Sequence, residues 1–228
     1  IKEIKKRYPD RNIISVVSSS LTHRGEISLL KKWDNTKIEL DQGIDLVIEL
    51  PFVYSTQASD IFAEGAVKIL NYLGIDTLVF GTERDTIEEL ELLADIQINN
   101  KEYQEKVKQY LSTGLNYATS TNKALEDITN VKVDTPNDLL ALAYIKQLKL
   151  NKYNIKGTNI KRTTPYHGSE INNNVLGLAI HVSNFFPDFV NLLFIINTSF
   201  VMGTTINLSI ICQIPIKKAF IPLIIFFM

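Results

Sequence analysis

The run Ile44 to Pro51, Ile-Asp-Leu-Val-Ile-Glu-Leu-Pro, restricts the possible folds more than any other part of this chain. A short, almost unbroken apolar segment rich in β-branched residues and closed by proline is the pattern of a strand buried on both faces of a parallel sheet. Ile13 to Val17 and Thr77 to Phe80 have the same character, and helical patterns separate the three. Strand, helix, strand, helix, strand implies right-handed crossovers, and so an α/β, doubly wound parallel sheet whose ligands gather beyond the strand C-termini. Chemistry is therefore expected in Ser18 to Glu26, Pro51 to Ser59 and Gly81 to Asp85.

A length of 228 residues allows one domain of ordinary size and part of another. The net charge of −1 supplies no global field to attract nucleic acid, so an RNA contact would need a local patch. The single cysteine, Cys212, excludes a disulfide framework and a multi-cysteine zinc site, and suits a reducing cytoplasm. No secretory signal opens the sequence. Ile1 to Tyr8 reads as the last turns of a cationic helix, so a strand-helix unit ahead of Ile13 is the expected absentee. At the other end the composition changes abruptly. Of 49 charged residues only Asp188, Lys217 and Lys218 follow Glu170, which predicts an α/β domain over 1–170 and a separate apolar tail over 171–228.

Between the strands, a helix is expected from about Ile27 to Leu40, with Gly43 beyond its end. Ser18 to Glu26 either binds an anion through backbone N–H groups and Arg24 or is an ordinary polar loop with an Arg-Glu pair. No Gly-x-Ser-x-Gly elbow surrounds its serines. Ser55 or Thr56 suits the cap of a helix carrying Phe62, Ala66, Ile69, Leu70 and Leu73 on one face and stopping at Gly74. Glu49, near the end of a buried strand, calls for a partner, either catalytic, metal-bound or, as the preferred expectation, a hydrogen-bonded core group. Gly81 either lets a ligand approach the backbone closely or takes a positive φ. Thr86 and Glu89 have capping-box spacing.

Two packing helices are expected between Asn100 and Ile128, around Gly114. Thr135-Pro136-Asn137 then matches N-cap and first helical position for a helix running to about Leu148. The Asn137 amide is thereby placed at a helix N-terminus, where it can meet a base edge or a phosphate, or merely cap. Lys161 and Arg162, followed by Thr163, Thr164 and His167, either clamp a polyphosphate or an RNA backbone or form solvated surface. Neither Gly-x-x-x-x-Gly-Lys-Ser/Thr nor Gly-x-Gly-x-x-Gly occurs.

In order along the chain, Ser18 to Glu26 with its Arg-Gly-Glu, Asp-Leu-Val-Ile-Glu-Leu-Pro at 45–51, Phe-Ala-Glu-Gly-Ala at 62–66, Phe-Gly-Thr-Glu at 80–83, Pro136-Asn137 with Tyr144, and Ile160 to Arg162 followed by Tyr166-His167 resemble the bacterial tRNA(Met) cytidine acetate ligases. The resemblance covers roughly Ile1 to His167 and implies a Rossmann-like nucleotidyltransferase sheet with a helical insertion. It also implies an ATP-dependent enzyme of the cytoplasm that joins acetate to ATP as acetyl-adenylate and passes the acetyl group to the wobble cytidine of elongator tRNA(Met). DNA is not an expected partner. By the resemblance Gly81, Asn137 and Arg162 contact ATP, with Arg24 and Lys161 as supports. Mg2+ is expected on general grounds for ATP chemistry, without assigned ligands.

The sequence departs from the family at both ends. The family's opening strand and His-x-Gly-His loop have no counterpart in Ile1 to Arg11, and its Ala-Ser-Ala-Thr-x-Ile-Arg segment is matched only by Val175 to His181. Little or no turnover is therefore expected of this form. For the tail from about Phe185, a shifted or decayed reading frame is preferred over a buried hairpin, or over a membrane span in Phe189 to Ile216, which Asn191, Asn197, Asn207 and Gln213 make a poor one. The rival readings of function are a non-catalytic remnant, a membrane-associated protein on the same scaffold, or a small-molecule adenylyltransferase.

Overall fold

The computed structural model describes residues 1–18, 20–21, 25, 27–28 and 30–162, and the backbone of 223–226. The three apolar runs form strands β1 (Asn12–Val17), β2 (Leu46–Glu49) and β3 (Thr77–Thr82), joined by β4 (Lys156–Lys161) and β5 (Leu223–Phe226). The order across the sheet is β2-β1-β5-β3-β4, and every described pairing is parallel. Residues opposite one another include Val17 and Glu49, and Thr82 and Lys161, so the strand C-termini share one rim. The described part of the 171–228 tail is β5, which pairs with both β1 and β3 at the sheet centre.

Around the sheet lie α1 (Lys2–Arg7), α2 (Lys32–Asp41), α3 (Phe52–Ser55), α4 (Ser59–Tyr72), α5 (Glu88–Asn99), α6 (Lys101–Ser112), α7 (Tyr117–Thr129) and α8 (Pro136–Leu150). Because successive strand residues point to opposite faces, Ile14 and Val16 of β1 join Leu78 and Phe80 of β3 under α4, α5 and α8. Ala66, Leu70, Leu90, Leu93, Ala141 and Tyr144 fill that layer, each almost wholly buried. Burying one leucine-sized side chain contributes about 2 kcal/mol, so this layer is the main source of stability. Ile13, Val17, Val47 and Val79 form the other face with Ile4 of α1, and Glu39 of α2 lies over Ser15 there. Helices on both faces make the sheet doubly wound. The insertion is α6 and α7, which add Tyr103, Val107, Ala124 and Leu125 to the larger core. Asn100 starts α6 by accepting the N–H of Tyr103 at 3.0 Å, and Gly114 turns the chain between the two helices with φ 88.

Several local expectations are corrected. The helix after β1 begins at Lys32 instead of Ile27, because Leu21 and Ile27 form an antiparallel bridge around Gly25, whose φ is 77. Ser55 and Thr56 do not cap α4. Their hydroxyls donate back to the Phe52 carbonyl within the separate turn of α3, and α4 starts after Ala58. No capping box opens α5, since Glu89 is drawn into an ion pair with Arg84. Glu49 is not a core group. It lies 3.8 Å from Lys32 Nζ at the rim, partly exposed. Among the described residues no helix is long and apolar enough to cross a membrane. Thr163 to His167, Val175 to His181 and Phe189 to Ile216 lie outside the described residues.

Candidate nucleotide site

The rim above β3 and β4 carries a network of polar side chains from β3, β4 and α8. Parallel pairing sets Gly81 opposite Ile160, and the Arg162 N–H donates to the Thr82 carbonyl at 2.8 Å. Arg162 thus emerges at the end of β4 beside Gly81. A β-carbon built on Gly81 would lie 3.7 Å from Arg162 Cγ and 3.9 Å from Cδ, so the arginine stem covers the glycine without crowding it. Gly81 is not among the glycines with positive φ, which excludes the conformational reading.

The N-terminal end of α8 reaches the same place. Thr135 is its N-cap residue and Pro136 opens the helix, as the sequence requires, yet the Thr135 hydroxyl makes no cap bond. The first turn is held by carboxylates and amides instead. Asp138, 3% exposed, accepts the Glu83 N–H at 3.0 Å and Arg84 Nε at 3.2 Å. Asn137 Nδ2 donates to Glu83 Oε1 at 2.5 Å. Arg84 also pairs with Glu89 and donates to the Lys132 carbonyl at 3.0 Å. From β4, Asn159 Nδ2 reaches Thr82 Oγ1 at 2.7 Å and the carbonyls of Arg84 and Asp85, each at 3.2 Å. The loop Gly81 to Asp85 is therefore tied down from both sides.

Gly81, Asn137 and Arg162 are brought to one rim, two of them adjacent and the third joined through Glu83. Lys161 is turned to Asp85, 2.7 Å away, at the exposed edge of the same loop. Arg24 lies outside the described residues. Backbone N–H groups at a helix start and an exposed guanidinium beside a glycine together suit a phosphorylated ligand. Glu83 Oε2 and Thr135 Oγ1 are buried there without hydrogen-bond partners among the described residues. Sequence reasoning assigned no role to Glu83, Asp138 or Asn159. The usable signals were the carboxylate following Phe-Gly-Thr and an acid in the first turn of a helix opened by proline.

A family model for the HIGH nucleotidyl transferases matches residues 1–180. A tRNA(Met) cytidine acetate ligase of Mesomycoplasma hyopneumoniae strain J is 40% identical over 163 residues, covering 71% of this chain and 51% of that protein. The crystal structure of Thermotoga maritima TmcAL, without ligand, superposes with a TM-score of 0.70 at 26% identity, over 82% of this chain and 47% of the other. The same protein bound with alpha-thio ATP gives 0.68 at 27% identity, over 83% and 46%. The chain spans about half the length of the curated relatives it matches. On sequence and on fold together, the chain belongs to the HIGH nucleotidyl transferase family.

Proposed function

We propose that the chain supplies the ATP-binding part of an ATP-dependent ligase that activates acetate as acetyl-adenylate and acetylates the wobble cytidine of elongator tRNA(Met). The observation that carries this reading is the meeting of Gly81, Asn137 and Arg162 beyond the C-terminal ends of β3 and β4. Support comes from the relatives, which are named tRNA(Met) cytidine acetate ligase, and from a solved neighbour that holds an ATP analogue.

Attack of acetate on the α-phosphate sets negative charge against negative charge, so the protein's task is to fix and neutralise the phosphates. In this reading Gly81 admits the nucleotide to the backbone and Arg162 offers its charge to the phosphates, while Asn137 contacts the nucleotide through its amide at the start of α8. Magnesium would screen the phosphates. Among the described residues no group of three or more His, Cys, Asp or Glu side chains converges to hold a metal. The lone cysteine fits a reducing cytoplasm.

Isothermal titration with ATP and magnesium tests the nucleotide site. Saturable binding, weakened at least about tenfold by Arg162→Ala, is the expected result, since tenfold corresponds to about 1.4 kcal/mol and one lost charge-assisted contact supplies that. Absence of heat at millimolar ATP, or binding indifferent to Arg162→Ala, refutes it.

A further inference from the structure

We propose that Glu83 is a positioning residue that makes this site select adenine over guanine nucleotides, by fixing which atom of the Asn137 amide faces the base. The proposal rests on the nucleotide-binding reading above and extends it to the choice of base.

An ionised carboxylate only accepts hydrogen bonds. Glu83 Oε1, 2.5 Å from the Asn137 side chain, therefore requires the amide nitrogen, and not the oxygen, on its side. Glu83 itself is held, because its backbone N–H is engaged by buried Asp138 at 3.0 Å. One N–H of the Asn137 amide is spent on Glu83. No other described residue bonds to the second N–H or to Oδ1, and the side chain is half-buried at the open rim. What remains for a ligand is one donor beside one acceptor, in a fixed order.

Adenine carries a matching pair, the N6 amino donor beside a ring-nitrogen acceptor, and a side-chain amide meets it in bidentate fashion. Guanine has a carbonyl oxygen at position 6. In the pose that pairs adenine, that oxygen faces Asn137 Oδ1, acceptor against acceptor. An unrestrained asparagine would relieve the conflict by turning its amide over. Here the turn would set Oδ1 against the Glu83 carboxylate, so it is blocked. Anchoring of the phosphates at Gly81 and Arg162 denies the base the alternative of sliding to a new pose. A site whose buried polar groups are left unpaired by the wrong ligand discriminates strongly.

The test is titration of the full chain with ATP, GTP and inosine triphosphate, each with magnesium. The expected result is that ATP binds at least about tenfold more tightly than the other two, the size of one good bidentate base contact. Glu83→Gln replaces the acceptor with a group that donates as well, and frees Asn137 to turn over. In that variant GTP affinity rises and the preference falls to within about threefold, a gain that general damage to the fold would not produce. Parallel loss of ATP and GTP binding, with the ratio kept, overturns the proposal. If Glu83→Gln does not fold, the wild-type comparison decides alone, and equal affinity for ATP and inosine triphosphate overturns the role of Glu83. Failure of the wild type to bind any of the three overturns the nucleotide reading itself.

Discussion

The backbone N–H of Glu83 donates to the side chain of Asp138 across 3.0 Å, joining the end of β3 to the first turn of α8. The carboxylate is 3% exposed and also takes Arg84 Nε at 3.2 Å. A buried acid so placed stabilises the helix start and neutralises a cation held against it. It thereby ties the loop that follows Gly81 to the turn that carries Asn137, the two parts of the proposed site.

Asp138→Asn is expected to lower stability by about 2 kcal/mol, because one partner of a mostly buried pair is neutralised while Arg84 keeps Glu89. ATP affinity falls with it, since Asn137 and Glu83 lose their common anchor. Urea unfolding and nucleotide titration measure the two effects. Unchanged stability would mean that Asp138 does not hold Arg84 in solution.

Gly81→Ala separates fold from function. The added methyl meets only Arg162 Cγ and Cδ at ordinary contact distance, and the backbone has no positive φ, so stability should change by less than about 1 kcal/mol. The same methyl stands on the side of the loop from which Arg162 is proposed to meet the nucleotide. A fall in ATP affinity of roughly tenfold or more is expected, with an unaltered melting curve. Normal affinity in this variant would remove Gly81 from the site.

Glu39 predicts a pH dependence of stability. Burial on the inner side of α2 pushes its carboxyl up to about 7, and the Ser15 hydroxyl on β1 offsets only part of that. Both carboxylate oxygens lack a hydrogen bond of good geometry among the described residues. As pH rises past the unfolded value of 4.5, the unfolded chain releases this proton while the folded chain keeps it until about 7. Stability is therefore lost progressively between those pH values, by up to about 3 kcal/mol, and the contribution is flat above them. Glu39→Gln cannot ionise. The difference between wild type and variant, measured by urea unfolding at pH 5 and pH 8, should shift in favour of the variant at the higher pH. An identical difference at both would show that Glu39 does not titrate in the folded core.

The strands were legible because their signal is local. Ile13 to Val17, Ile44 to Pro51 and Thr77 to Phe80 each declare burial on two faces within a few residues, and the observed β1, β2 and β3 lie within or beside those runs. Thr135-Pro136 marked the start of α8 for the same reason, since proline at the first helical position is a steric statement about one residue. Capping was less legible. Thr86 and Glu89 have the right spacing, but Arg84 competes for Glu89 and wins with a full charge.

The sequence by itself determined a parallel α/β sheet, and named the end of that sheet where a ligand is expected with a short set of candidates there. Tertiary structure alone decided which of them meet. Glu83 finds Asp138 across 55 residues and Thr82 finds Asn159 across 77, distances over which no local preference acts. It also decided that β5 pairs between β1 and β3, an outcome of backbone hydrogen bonding that an apolar, patternless segment does not announce. Local sterics choose elements within a turn or a strand, whereas partners so far apart are chosen by which crossovers bury both faces of the sheet at once.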